Sequence, residues 1–442
     1  MSSPLKSEPI HRLLLQYCIP AIISMMTVSL YNTVDRIFIG HIPEIGNIAL
    51  TSLGTVLPFI TLILASELLI TYGVIANLSL KLGEKKEAEA QNFLNQVPVL
   101  GLLISLLLIF IFTTFKAPLL TLFGATKTTL PLATQYLDIM ILGIPFYIIG
   151  FSLMASIRSE GNPKRAALIL IVSCLINVIL DPIFIFTFDL GIAGAAIATV
   201  ISYLFVFAYV FYYYTRGASN LKLKPSLFKP RRTYIIPILI FGLSTSLVQI
   251  MTALVQILFN RSLAHYGTPL SIGAFTTITT ITNLALMPAI GINQGCVPII
   301  GYNYGQRRFD RVKSTFILGT LASTVIFMVG YILIQLIPEH LVRFFNSDEM
   351  LLTQTVSGLK YYLFTLPLCA LATTAPNLFQ AIGQSRISIG LVVLRQLILL
   401  VPLIIFLPTF FGLTGVWIAQ PITDLIISLL AFYLVKQEFK HY

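Results

Sequence analysis

The sequence predicts an all-α polytopic membrane protein: twelve transmembrane helices in two six-helix lobes related by pseudo-twofold symmetry. Three observations lead there. Of 442 residues, 57% are hydrophobic and only 10% charged, at a mean hydropathy of +0.90, whereas soluble domains carry about 25% charged residues. Apolar runs long enough to cross a bilayer recur along the whole chain. Landmark residues also recur 222 positions apart.

The first run, 12–40, follows the polar stretch MSSPLKSEPIHR. It is too long for a signal h-region, so no cleaved leader is expected. Runs at 48–80, 93–115, 131–156, 164–187 and 190–214 complete the first half. The polar stretch TRGASNLKLKPSLFKPRRT then breaks the apolar pattern, and six more runs follow at 234–262, 269–301, 314–336, 354–378, 386–409 and 412–435. The expected division is an N-terminal lobe 1–214, a cytoplasmic linker 215–233 and a C-terminal lobe 234–442. Pro20, Pro58, Pro145, Pro237, Pro288, Pro298, Pro367 and Pro402 fall inside runs. They are expected to bend helices rather than open loops, because a loop in hydrocarbon strands its backbone polar groups.

Twelve spans return the chain to its starting side, and the basic residues choose that side. With the N-terminus inside, the inner segments hold 21 of the 28 Lys and Arg, from Lys6 and Arg12 through Arg158 to Lys440. The outer loops hold Lys116, Lys127, Arg261 and Arg343. The net charge of +11 is therefore topological, and nucleic acid is not an expected partner. The expected placement is multi-pass in the plasma (cell inner) membrane with both termini cytoplasmic. Cys18, Cys174, Cys296 and Cys369 lie in apolar runs and read as small core residues, so no disulfide is implied.

The repeat rests on five landmarks. Gly83 and Gly305, Phe123 and Phe345, Pro145 and Pro367, and Gly161 and Gly383 keep one offset, and LGIAGAAIAT at 190 aligns with FGLTGVWIAQ at 411. Parallel six-helix halves of this kind are a transporter architecture, with substrate handled at the repeat interface.

Ionisable residues inside the spans are the functional candidates, since a carboxylate there costs roughly 2.5–3.5 kcal/mol on insertion scales. Asp35, in LYNTVDRIFIG, lies near the outer end of the first span, and Asp181 near the outer end of the fifth. Asn177 stands one turn from Asp181 on the same face, and Thr199 and Asp138 fall in the same outer layer. Two such carboxylates with amide and hydroxyl neighbours suit a proton relay, because burial and crowding disfavour two negative charges together. The same oxygens would also ligate Na⁺, and the spacing does not separate the two ions. Asp138 reads equally as a lipid-interface residue. Glu67 lies deeper toward the inside, facing a cavity or paired with polar neighbours. Arg395 and Asp424 sit at one depth in adjacent spans and read as a neutralising ion pair. The second half has no acid in the outer layer; it offers Gln249, Gln256 and Asn283 as candidate cavity residues, with Asn260, Asn293 and Gln294 nearby. No Walker loop is present, the histidines lie at span ends, loops or the tail, and no enzyme, cofactor or metal cluster is expected.

LYNTVDRIFIG, the EGNPK turn after span four, NVILDPIFIF in span five and LGIAGAAIAT in span six resemble the MATE family of multidrug and toxic-compound extruders, over essentially the whole chain. The pattern is similar to the DinF-like prokaryotic branch. The resemblance implies a MATE/MOP-type fold and cation-coupled antiport, in which H⁺ or Na⁺ enters as an amphipathic, often cationic drug or dye leaves by alternating access. It carries a coupling site onto Asp35, Asn177, Asp181 and Thr199, with protonation of Asp35 driving release, and matches Tyr136, beside Asp138, to a cavity-lining tyrosine. A monomer in the lipid bilayer is expected. The rival reading within the superfamily is a lipid-linked saccharide flippase. A polyphosphate headgroup would call for arginines, whereas the buried charges are mainly acidic.

Overall fold

The structure, a computed structural model, describes residues 8–217, 219–267, 269–343 and 349–442. Lys6 and Phe345 lie outside the described residues. The first half forms α1 (Ile10–Gly40), α2 (Gly46–Gly83), α3 (Glu87–Leu122), α4 (Leu130–Ser159), α5 (Pro163–Pro182, continued by a π turn Ile183–Thr187) and α6 (Gly191–Thr215). The second forms α7 (Arg232–Tyr266), α8 (Pro269–Gly305), α9 (Phe309–Leu336), the short α10 (Pro338–Arg343), α11 (Glu349–Tyr362), α12 (Cys369–Ala381), α13 (Ser385–Val393, continued by a π segment Leu394–Leu400) and α14 (Val401–Glu438). Helix is what apolar runs of this length dictate, because in hydrocarbon only internal hydrogen bonds satisfy the backbone.

Among the described residues, ten helices are long and apolar enough to cross a membrane, and Leu352–Tyr362 with Leu366–Ala381 adds an eleventh, bent by 43°. The longest, Ser385–Glu438, contains two spans joined at Gly412, whose φ of 55° and ψ of −138° suit a residue without Cβ. Together these make the twelve crossings expected. Most helices overrun their hydropathy windows, because polar turns such as Glu87–Gln91 continue the helix without raising hydropathy. Proline behaves in two ways. Pro145 stays inside an unbroken α4, whereas its repeat mate Pro367 sits in a 3₁₀ turn, Leu366–Leu368, that separates α11 from α12. There the missing N–H breaks the regular helix, and the span bends by 43°.

The described residues pack as two compact units, one of Ile23–Ser246 with Glu8, the other of Pro9–Ile22 with the described part of Leu247–Tyr442. The divisions fall inside α1 and inside α7. In unit 1, α4 packs on α2, α3 and α6, and α5 on α6. It is also the most buried span among the described residues. In unit 2, α8 packs on α9 and α11, and α12 on α9, α13 and α14.

The repeat is legible in the backbone. Lys85 and Arg307 both take positive φ (61° and 57°), as do Gly161 and Gly383 (95° and 87°). Each ends a helix with the same 6→1 closure: Lys86 N–H to Lys81 O and Arg308 N–H to Asn303 O, both 2.9 Å. Gly73 and Gly295, also 222 apart, mark equivalent close approaches. A Cβ on Gly73 would collide with the Ile238 carbonyl of α7, and one on Gly295 would lie 2.9 Å from Cys18 Cα of α1.

The polar segment after α6 is tied down within unit 1. Buried Asn95 donates to Lys222 O (2.9 Å) and accepts from Lys224 N–H (2.7 Å). Buried Gln96 donates to Lys229 O (3.1 Å) and accepts from Arg231 N–H (3.1 Å). Ser219 donates to Glu160 Oε2 at 2.6 Å. Burial pushes the Glu160 carboxyl up to about 7, against these hydroxyl hydrogen bonds and Lys222, which lower it.

Candidate functional site

Unit 1 gathers one set of polar groups from four helices. α5 supplies Asn177 and Asp181 one turn apart, and α6 supplies Thr199; all three are buried. The Asn177 amide is turned so that its nitrogen donates to Asp181 Oδ2 at 3.2 Å. Its oxygen accepts from the Thr199 hydroxyl (3.2 Å) and backbone N–H (3.3 Å). That orientation satisfies both neighbours and was assigned from them. Just past Asp181, Pro182 offers no N–H, and the helix leaves α geometry for the π turn Ile183–Thr187. Such turns recur at functional sites.

From α1, Asp35 lies half-buried within electrostatic reach of Asp181. Its Oδ1 is shielded from solvent and has no hydrogen-bond partner among the described residues. A buried acceptor left this way is uncommon and calls for an explanation. Tyr136 of α4 is buried within electrostatic reach of Asp35, Tyr203 and Asp181. The expected residues Asp35, Asn177, Asp181, Thr199 and Tyr136 thus come together in unit 1.

Three tyrosines not singled out from the sequence join them. Tyr203 of α6 and Tyr31 of α1 each lie within reach of Asp35. Tyr147 of α4 packs on Tyr203 with ring centroids 4.7 Å apart, and Phe151 packs on Tyr147 at 4.6 Å. One signal was available: Tyr203 follows Thr199 by four residues and so shares its face. Tyr147 had none beyond its place in an aromatic-rich helix.

The other candidates are placed elsewhere. Glu67 of α2 is buried, and its carboxylate accepts from the Thr71 hydroxyl, which lies 3.0 Å from the Ser152 hydroxyl of α4. Arg158, grouped above with the inner basic residues, is buried at the end of α4 within electrostatic reach of Glu67. Asp138 is exposed. It pairs with Lys116 Nζ at 2.5 and 2.8 Å, because α3 runs on past its apolar window and carries the lysine alongside. An exposed pair of this kind contributes less than about 1 kcal/mol. Asp138→Asn is therefore expected to shift the thermal unfolding midpoint in detergent only slightly, and a drop of many degrees would give the pair a larger role.

In unit 2, Gln249 is half-buried on α7, and Gln256 on α7 and Asn283 on α8 are exposed. Arg395 pairs with Asp424 as expected: Nε and Nη2 donate to Oδ1 at 2.9 and 2.7 Å. Gln420 Nε2 (3.0 Å) and Cys369 Sγ (3.1 Å) donate to the other carboxylate oxygen. Among the described residues no group of three or more His, Cys, Asp or Glu could hold a metal ion.

The MatE family model matches residues 20–183 and 245–406. The chain is 26% identical over 431 residues to the multidrug export protein MepA of Staphylococcus aureus (strain bovine RF122 / ET3-1), covering 97% of this chain and 94% of that protein. Against MepA of Staphylococcus saprophyticus it is 26% identical over 423 residues, covering 96% and 92%. Among solved structures, a MOP superfamily transporter from Pyrococcus furiosus matches with a TM-score of 0.92 at 23% identity, over 99% of this chain and 97% of that one. An outward-facing multidrug resistance MATE family transporter matches with a TM-score of 0.90 at 22% identity, over 99% and 97%. At these identities the structural matches speak to the fold.

Proposed function

The chain belongs to the MatE family of transporters, and from that premise we propose that it is a proton-coupled multidrug efflux antiporter whose coupling site is the Asp35, Asn177, Asp181 and Thr199 set. One observation carries the reading: the solvent-shielded, unpartnered Asp35 Oδ1 within electrostatic reach of Asp181. The MepA relatives are multidrug export proteins, and the acid set supplies the matching chemistry for amphipathic, often cationic substrates.

Two carboxylates within electrostatic reach of each other in a poorly solvated interior titrate as a coupled pair. When both oxygens sets are charged they attract a cationic drug, and the aromatic faces of Tyr31, Tyr147 and Tyr203 give a flat cation a surface to stack on. A proton arriving from the outer side removes that charge, and a neutral carboxyl gains a donor for Asp35 Oδ1 to use. The drug then loses its counter-charge and leaves outward, and the lobes rock to the inward-open state. We place the protein as a monomer in the plasma membrane with both termini cytoplasmic.

The test is ethidium uptake by everted vesicles under separately imposed gradients. An interior-acid gradient alone should drive uptake. Uptake driven only by an interior-high Na⁺ gradient would overturn the proton assignment. No uptake under either gradient, together with rescue of a lipid-linked saccharide export defect, would overturn the efflux reading in favour of the flippase.

A further inference from the structure

The Asp35 and Asp181 acids occupy the outer part of unit 1, yet a proton that drives antiport must also leave on the inner side. One buried acid lies along that direction. Glu67 is 6% exposed, deeper on α2 than the outer acids are on α1 and α5. Its surroundings within unit 1 are polar and aromatic. Tyr203 lies within electrostatic reach of Asp35, the Tyr203 and Tyr147 rings pack at 4.7 Å with their planes tilted by 48°, and Tyr147 lies within electrostatic reach of Glu67. On the far side the Thr71 hydroxyl donates to Glu67 and contacts Ser152, and Arg158 is the charged group facing the carboxyl. Ser156 bonds back to the Ser152 carbonyl at 2.9 Å, and Ser159 reaches Ser79 at 2.9 Å, so hydroxyls continue along α4 to its inner end.

The repeat argues that the fold does not need this acid. Two hundred and twenty-two residues on from Glu67 stands Ala289, buried at 2% exposure on the equivalent helix. The mates of Thr71, Ser152 and Arg158 are Asn293, Thr374 and Gln380, all neutral and all buried. The same helix pair is therefore built in unit 2 with alanine at this position and no charge opposite. Unit 1 alone carries an acid and a base there.

We propose that Glu67 is the inner proton-carrying residue of unit 1, taking up the proton that entered at Asp35 and Asp181. An outer carboxyl gives up that proton and becomes ionised, and Glu67 gains it and ends neutral. Arg158 then favours the ionised carboxylate and so promotes release toward the inside. The inference rests on the proton-coupled reading above.

The experiment runs in two stages on the full chain in everted vesicles. The wild-type protein must first concentrate ethidium under an interior-acid gradient; failure here removes the reading of the site itself. Given that, Glu67→Gln keeps the volume and still accepts from Thr71. It should lose gradient-driven uptake by about 10²-fold, the scale of a positioned proton-transfer group, while gradient-free ethidium exchange stays at the wild-type rate. Glu67→Asp should restore part of the uptake with a displaced pH profile, a response that a purely structural role would not give. Full uptake by Glu67→Gln, or an Asp variant with low uptake and an unmoved pH profile, would overturn the proposal.

Discussion

Asp35→Asn is expected to leave the protein folded in the membrane and to abolish proton-driven ethidium uptake, by about 10²-fold or more. The substitution keeps the shape of the side chain and removes its proton. Asp181 is then left without the carboxylate that shares its charge, since Asp35 is the acid within electrostatic reach of it. Stability should hold or rise. A buried carboxylate costs a few kcal/mol to place at membrane depth, and its Oδ1 has no hydrogen bond to lose among the described residues. A group that is costly to the fold and needed for activity is the expected signature of a working site. The check pairs vesicle uptake with thermal unfolding in detergent. Full uptake by the variant would sink the coupling scheme, and a large loss of stability would make Asp35 a structural residue.

Arg395→Ala should have the largest effect on stability, roughly 3–5 kcal/mol, the cost of leaving one partner of a buried ion pair uncompensated. Asp424 is 3% exposed, and both Arg395 bonds fall on its Oδ1. Gln420 and Cys369 occupy the other oxygen and cannot serve both. Replacing the pair together, as Arg395→Met with Asp424→Leu, should recover most of the loss, since a buried pair exchanged for apolar residues of similar volume is often close to neutral. Thermal unfolding of the two variants in detergent measures both numbers. If the single substitution proves harmless, or the double is as unstable as the single, the pair is not what holds these spans together.

Much of the fold was readable residue by residue. Each span showed as an apolar run, and the polar break after α6 showed as TRGASNLKLKPSLFKPRRT. Asn177 and Asp181 were readable as neighbours because four residues on one helix always share a face. The break at Pro367 was not readable, since Pro145 carries the same residue at the matching repeat position and stays helical. Asp138 and Tyr136 show the limit most plainly. They stand two residues apart on α4: Tyr136, matched by resemblance to a cavity-lining tyrosine, lies within electrostatic reach of Asp35, whereas Asp138, placed by spacing in the outer layer, turns out to Lys116. Arg158 was counted as a cytoplasmic base, and only the packing of α4 at the centre of unit 1 buries it.

What the chain determined by itself was the number of crossings and the 222-residue repeat, because a bilayer demands about 20 apolar residues per helix. What only the tertiary structure decided was the rotation of each helix about its axis. That rotation brings Asp35 within electrostatic reach of Asp181, packs Tyr147 against Tyr203 and turns Asp138 away. A helix apolar on nearly every side carries no mark of which face turns inward. Packing against its neighbours makes that choice.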